Sequence, residues 1–159
     1  MSDLVKIRNC LPSDLTKIKD MENASFGDPY PYKLFVSLLE DLPQGFRVAT
    51  LNESDIVGYC ILSRSNQFGV LIISSIAVLP KFRNRGIGSR LIQDSIRIAC
   101  ELSARNPIER IVLQVAKNNS TAQFLYEKFG FRTTRKIKNY YGRDKDAIQM
   151  EFFLDGQKK

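Results

Sequence analysis

Histidine is absent from the 159 residues. That removes the commonest metal ligand and the commonest general base, so proton chemistry must fall to carboxylates, tyrosines, water or backbone. Cysteine is scarce: Cys10, Cys60 and Cys100 are odd in number, far apart and in no CxxC pair. A disulfide framework and a zinc site are therefore not expected, no metal is expected at all, and the three thiols read as buried and free. No apolar run approaches the roughly 18 to 20 residues of a membrane span, and MSDLVKIRN has neither the apolar core nor the cleavage pattern of a signal peptide. The expectation is a cytoplasmic protein with no membrane partner.

What is present is an ordinary globular composition, 43% hydrophobic and 26% charged, at a length that suits one domain with a sizeable core. The expected organisation is a single domain over 1–155 and a tail over 156–159, with no repeat or linker. A net charge of +7 implies attraction to anions: nucleic acid, a ribosome or a polyphosphate cofactor, or else solubility alone. The densest basic stretch, Arg132 to Lys138, stands beside Tyr140 and Tyr141.

Along the chain, Val5 and Ile7 alternate with Lys6 and Arg8 as in a strand, and Pro12, Ser13 and Asp14 supply helix-start chemistry for a stripe of Leu15, Ile18 and Met21. Asn23 to Tyr32 reads as a loop carrying Phe26, Tyr30 and Tyr32, aromatics that either plug a core gap or line a site. A second helix follows with Leu34, Phe35, Leu38, Leu39 and Leu42 at helical spacing, stopped by Pro43 and Gly45. Phe46–Thr50 and Ile56–Ser63 form a hairpin, and the apolar run Val70–Leu79 predicts a central strand covered on both faces. After the next helix come a strand over Ile111–Val115, a helix begun by Asn118 or Asn119 and closed by Gly130, and two strands, Phe131–Ile137 and Ala147–Leu154.

The stretch SIAVLPKFRNRGIGSRL, Ser75 to Leu91, organises the rest: a buried strand runs into a glycine turn that opens a helix with a broad apolar face of Leu91, Ile92, Ser95, Ile96, Ile98, Ala99 and Leu102. Such a turn is either a tight connection or an anion site, because first-turn N–H groups lack internal partners and sit at the positive end of the helix dipole. Gly86 and Gly88 would let backbone approach a phosphate, with Arg83 and Arg85 adding charge. A P-loop is excluded, since Gly88 is followed by Ser89 and Arg90 rather than Lys-Ser/Thr, and a dinucleotide fingerprint fails at Leu91.

The element order, with RNRGIG at Arg83 to Gly88 and NSTAQFLYEKFGF at Asn119 to Phe131, resembles the GNAT family of acetyl-CoA-dependent N-acetyltransferases. Three further stretches are similar to the protein N-terminal acetyltransferases within it: SIAVLPKFRNRGIG, DPYPYKLF at Asp28 to Phe35, and KNYYGRDKDAIQM at Lys138 to Met150. The resemblance implies an α/β (α+β) GNAT fold, with a central mixed, mostly antiparallel seven-stranded sheet flanked by about four helices. It further implies acetyl transfer from acetyl-CoA to the α-amine of protein or peptide N-termini, with an auxiliary subunit or the ribosome as candidate partners and nucleic acid not expected as a ligand.

On that resemblance the N–H groups of Arg85, Gly86, Ile87, Gly88 and Ser89, with Arg83, hold the CoA pyrophosphate. Backbone at Ile76, Ala77 and Val78 pairs with pantetheine, and the Val78 N–H faces the thioester oxygen. Tyr126 donates to the departing sulfur, or else only packs on the sheet; Asn119 is either only an N-cap or also a pantetheine contact. Asp28 is either an ordinary turn residue before Pro29 or the base. Phe26, Asp28, Pro29, Tyr30 and Tyr32, with Tyr140 and Tyr141, flank the substrate. The chain departs from some members at Gln114, where they carry glutamate, and at Ile72, which aligns with a histidine. Two alternatives stand beside this reading: an acetyltransferase for a small amine, and a CoA-binding or nucleic-acid-binding module without turnover.

Overall fold

A computed structural model describes residues 4–157. The elements are β1 (Val5–Asn9), α1 (Leu15–Ser25), α2 (Tyr32–Asp41), β2 (Phe46–Leu51), β3 (Asp55–Arg64), β4 (Val70–Val78), α3 (Ile87–Ser103), β5 (Arg110–Ala116), α4 (Ser120–Lys128), β6 (Arg132–Ile137) and β7 (Ala147–Phe153). The strands make one seven-stranded sheet in the order β1-β2-β3-β4-β5-β7-β6. The β4–β5 pair is parallel and the β1–β2, β2–β3, β5–β7 and β6–β7 pairs are antiparallel, the mixed sheet the resemblance implied. The residues group into two compact units, one from the chain up to Arg64 with Ile73–Ile98, the other from Ser65–Ile72 with Ala99 onward. Of the expected tail, Gly156 and Gln157 close a 3-10 turn begun at Leu154, and Lys158 and Lys159 lie outside the described residues.

In the first unit the apolar stripe of α1 and Phe35 of α2 bury against Phe46, Val48, Tyr59 and Ile61. Full burial of each large side chain contributes about 1.5–3 kcal/mol. Helix α1 runs three residues further than expected, through Ser25, because the Phe26 N–H still reaches the Glu22 carbonyl at 3.0 Å. The loop is thus only 26–31. Strand β4 also departs from expectation: Leu71, Ile73, Ser75 and Ala77 are buried, but Ile72, Ser74, Ile76 and Val78 are only half-buried. A continuous apolar run signals burial without saying how complete each face is. Cys10 and Cys60 are buried, and burial pushes both thiols up to about 12, whereas Cys100 is exposed on α3, contrary to the expectation of three buried thiols.

Asp14 ties β1 to α1. Its carboxylate accepts the Leu11 N–H at 2.7 Å and both terminal nitrogens of Arg8 at 2.7 and 3.1 Å. Burial alone would raise this carboxyl; the guanidinium and the amide outweigh it and hold it below the ordinary aspartate value. Asp14→Ala is expected to lower unfolding stability at pH 7 by about 2 kcal/mol. A lowered folded-state value means the contribution is present above about pH 4 and disappears as pH falls through that value, so the gap between variant and wild type in urea denaturation should narrow at pH 3.

In the second unit, β4 pairs with β5 through Val70, Leu71 and Ile72. Helix α4 is capped by Asn119, whose Oδ1 accepts the Ala122 N–H at 3.2 Å, and ends at Gly130, left-handed at φ +101°. The Phe131 ring sits between the rings of Tyr126 and Phe152, at 5.8 and 5.5 Å.

Candidate active site

The end of β4 and the start of α3 belong to the first unit. The Leu79 N–H bonds to the Val57 carbonyl of β3 at 2.9 Å. Because peptide groups alternate in direction along a strand, the Val78 amide points away from β3 and is not consumed by that pairing. Its carbonyl accepts Arg83 Nε at 3.0 Å. The chain then turns through two left-handed residues, Asn84 at φ +63° and Gly86 at φ +79°. The first helical bond of α3 runs from the Arg90 N–H to the Gly86 carbonyl at 3.0 Å. The N–H groups of Ile87, Gly88 and Ser89 precede it and have no carbonyl one turn earlier to receive them.

Open space lies on this turn. A Cβ built on Gly86 meets nothing within 4 Å. The Ile87 side chain is buried, which fixes the helix start and leaves its backbone as the group on offer. Arg83 and Arg85 are exposed, the Arg85 guanidinium standing 5.2 Å over the Phe82 ring. The turn from Arg83 to Ser89 thus carries two exposed cations and open space over Gly86, and it stands at the positive end of the dipole of a 17-residue helix.

The loop before α2 is in the same unit. Phe26 and Asp28 are exposed, Pro29 and Tyr30 are half-buried, and Tyr32, expected on the loop, is instead the exposed first residue of α2. The Tyr30 hydroxyl donates to the Ser74 carbonyl of β4 at 2.9 Å, and its ring meets Phe35 edge-on at 6.2 Å. Of the expected substrate residues on this loop, Tyr30 is thus attached to β4.

In the second unit Tyr126 is buried with its ring edge-on to Phe131, and Asn119 is exposed at the head of α4. Tyr140 and Tyr141 are exposed and pack edge-on against each other, with ring centres 4.8 Å apart. A cavity of about 320 Å³ is lined by residues that include Ile72, Gln114, Gln149, Arg110 and Glu151. Gln114 donates to Gln149 at 3.3 Å, and Arg110 Nε donates to Glu151 at 2.7 Å. Neither Ile72 nor Gln114 carries a group that can take a proton from an amine.

Sequence reading missed a carboxylate. Glu22 is only 3% exposed, and it accepts hydrogen bonds from the Tyr59 hydroxyl, Ser75 Oγ at 2.9 Å and the Tyr30 N–H at 3.4 Å. Burial and the adjoining carboxylate push the Tyr59 phenol up, keeping it a neutral donor. The signal was available: Glu22 stands four residues after Ile18 and seven after Leu15, on the apolar stripe of α1, where a charge needs partners.

The sequence signature of the Acetyltransferase (GNAT) family matches residues 15–131. An N-alpha-acetyltransferase of Sulfolobus acidocaldarius is 34% identical over 155 residues, covering 91% of this chain and 90% of its own. The crystal structure of Ard1 from Thermoplasma volcanium has a TM-score of 0.84 at 26% identity, covering 94% of this chain and 97% of that one. Arabidopsis thaliana Naa50, solved with the bisubstrate analogue CoA-Ac-MVNAL, has a TM-score of 0.77 at 25% identity, with 92% and 97% covered. With an anion-ready helix start after the central strand and a family signature over most of its length, this chain belongs to the GNAT acetyltransferase family.

Proposed function

We propose that this protein transfers the acetyl group of acetyl-CoA to the N-terminal α-amine of proteins and peptides. The observation that carries the reading is the glycine turn: the first-turn amides of α3, an open approach over Gly86 and two exposed arginines fit a diphosphate. The similarity to an N-alpha-acetyltransferase along nearly its whole length supports the substrate class. Naa50 bound to a conjugate of CoA with a peptide beginning Met-Val supports the same pairing of cofactor and substrate.

Acetyl-CoA supplies an acyl thioester, activated toward amines. The chain's own residues do the rest. The amides of Ile87, Gly88 and Ser89, with Arg83 and Arg85, bind and orient the diphosphate. Ile76 and Ala77 present strand backbone to the pantetheine, and Asn119 adds a polar contact beyond its capping role. The Val78 N–H, turned away from β3, is a donor for negative charge growing on the acyl oxygen. Tyr126 donates a hydrogen bond to the sulfur as charge builds there; a phenol near pKa 10 is a weaker acid than a thiol near 8.5, so full proton transfer is not required of it.

No strong base is needed. An α-amine with a pKa of about 7.7–8.0 is roughly a tenth neutral at pH 7, whereas a lysine near 10.4 is neutral less than about one part in a thousand. Asp28, exposed on the loop, is the carboxylate assigned to orient the amine or take its proton. Phe26, Pro29, Tyr30 and Tyr32 in the first unit are assigned to the peptide substrate, as are Tyr140 and Tyr141 in the second. We place the reaction in the cytoplasm, with the ribosome or an auxiliary subunit as the neighbour that the net charge of +7 favours. The test is acetylation of matched peptides with free or blocked N-termini, read by mass spectrometry.

A further inference from the structure

One turn of α1 grips the backbone of a single loop residue on both sides of its Cα. Lys19 Nζ donates to the Tyr30 carbonyl at 2.7 Å, and Glu22, three residues later, accepts the Tyr30 N–H at 3.4 Å. The same Glu22 carboxylate is held from behind by the Tyr59 hydroxyl of β3 and by Ser75 Oγ of β4 at 2.9 Å. Tyr30 reaches β4 a second time, through its own hydroxyl to the Ser74 carbonyl at 2.9 Å. The loop is therefore referenced twice to two adjacent residues of β4, the strand whose end leads into the cofactor turn.

A carboxylate this deeply buried, with no cation among its three hydrogen-bond partners described here, is expensive to keep. An apolar residue would serve packing better. What the carboxylate does, and an apolar residue cannot, is accept three donors from three different elements at once. Between Gly27 and Pro31 the loop has no regular structure of its own to hold it. Without such an anchor its aromatic residues would have to be ordered by the incoming peptide.

We propose that Glu22, seconded by Lys19, is a positioning residue that locks the Tyr30 backbone to β4 and so presets the loop that receives the peptide substrate. The inference rests on the proposed function for its consequence but not for its geometry. Glu22 is 3% exposed and its hydrogen bonds go to Tyr30, Tyr59 and Ser75, so it is assigned no contact with substrate or acetyl-CoA. Its effect should fall on peptide binding rather than on cofactor binding, and it should depend on an oxygen acceptor rather than on a charge. Glutamine keeps that acceptor: its carbonyl can face the Tyr30 N–H while its amide donates to the Tyr59 and Ser75 hydroxyls, which can turn to accept.

The experiment uses the full chain with Glu22→Met, Glu22→Gln and Lys19→Met. Backbone hydrogen exchange is read over Gly27 to Tyr32, together with peptide KM and kcat at saturating acetyl-CoA and the acetyl-CoA Kd by calorimetry. In Glu22→Met, exchange over the loop should rise and peptide KM should rise about tenfold, with acetyl-CoA Kd within about twofold of wild type. Glu22→Gln should restore both to within about threefold, and Lys19→Met should raise KM by about threefold.

Unchanged loop exchange or unchanged peptide KM in a folded Glu22→Met overturns the proposal. So does a collapse of kcat at unchanged KM in Glu22→Gln, since that would make the carboxylate a proton acceptor. If Glu22→Met does not fold, Lys19→Met decides: its side chain is half-exposed, and no change in loop exchange there refutes the clamp. A wild-type protein that acetylates no N-terminus would sink the proposed function, while the exchange measurement would still decide whether Glu22 holds the loop.

Discussion

Replacing Gly86 with valine is expected to weaken acetyl-CoA binding by about 100-fold or more. The residue sits at φ +79°, where a β-branched side chain costs about 1–3 kcal/mol. Relieving that strain rotates the turn and re-aims the first-turn amides of α3. Hydrogen bonds to a charged group are worth about 1.5–3 kcal/mol each, so losing two of them accounts for the expected drop. The added side chain also enters the open approach over the turn. Alanine shares the φ problem without the branching and should fall between valine and wild type. Titration calorimetry of both variants reads the effect, and affinity within about threefold of wild type in both would move the diphosphate site elsewhere.

The second large effect is on turnover. Tyr126→Phe keeps the ring that lies edge-on to Phe131 at 5.8 Å and removes only the hydroxyl. A hydrogen bond formed as charge builds on sulfur contributes to the transition state and little to the ground state. At about 1.5–3 kcal/mol, its loss should lower kcat by roughly 10- to 100-fold and leave the acetyl-CoA Kd within about twofold. Steady-state kinetics against calorimetry separates the two. A variant with wild-type kcat would reduce Tyr126 to a packing residue.

Much of this fold was legible because its strongest signals are local. The α3 stripe, the turn at Gly86 and the cap and stop of α4 at Asn119 and Gly130 each depend on a few neighbouring residues and a fixed backbone geometry. What escaped reading depends on residues far apart in the chain. Glu22 falls on the apolar stripe of α1, but the partners that satisfy it there, Tyr59 and Ser75, are 37 and 53 positions away. The incomplete cover on Ile72, Ser74, Ile76 and Val78 could not be read from an apolar run that satisfies either extent of burial. Cys100 differs for a simpler reason: it stands seven residues after Gln93 and three after Arg97, at the polar side of α3, and helical spacing rather than residue type decides its exposure.

The candidate site was legible in its backbone half and less so in its side-chain half. Glycines and a helix start announce donors, whereas the absence of a base at Ile72 and Gln114 became meaningful once Gln114 was found engaged with Gln149. With no imidazole in the chain and an amide and an alkyl group at those two places, the proposed function has selectivity rest on which amine arrives neutral. Deprotonating a lysine at pH 7 costs about 4–5 kcal/mol, against about 1 kcal/mol for an α-amine.

That difference is tested most directly with two peptides of one sequence carrying a single internal lysine, one with a free N-terminus and one with it blocked, incubated with the protein and acetyl-CoA at pH 7. The expected result is a single acetyl group on the α-amine of the free peptide and at least about 100-fold slower modification of the blocked one, with Tyr30→Ala and Tyr141→Ala slowing the first reaction. Efficient acetylation of the lysine in the blocked peptide would contradict the assignment.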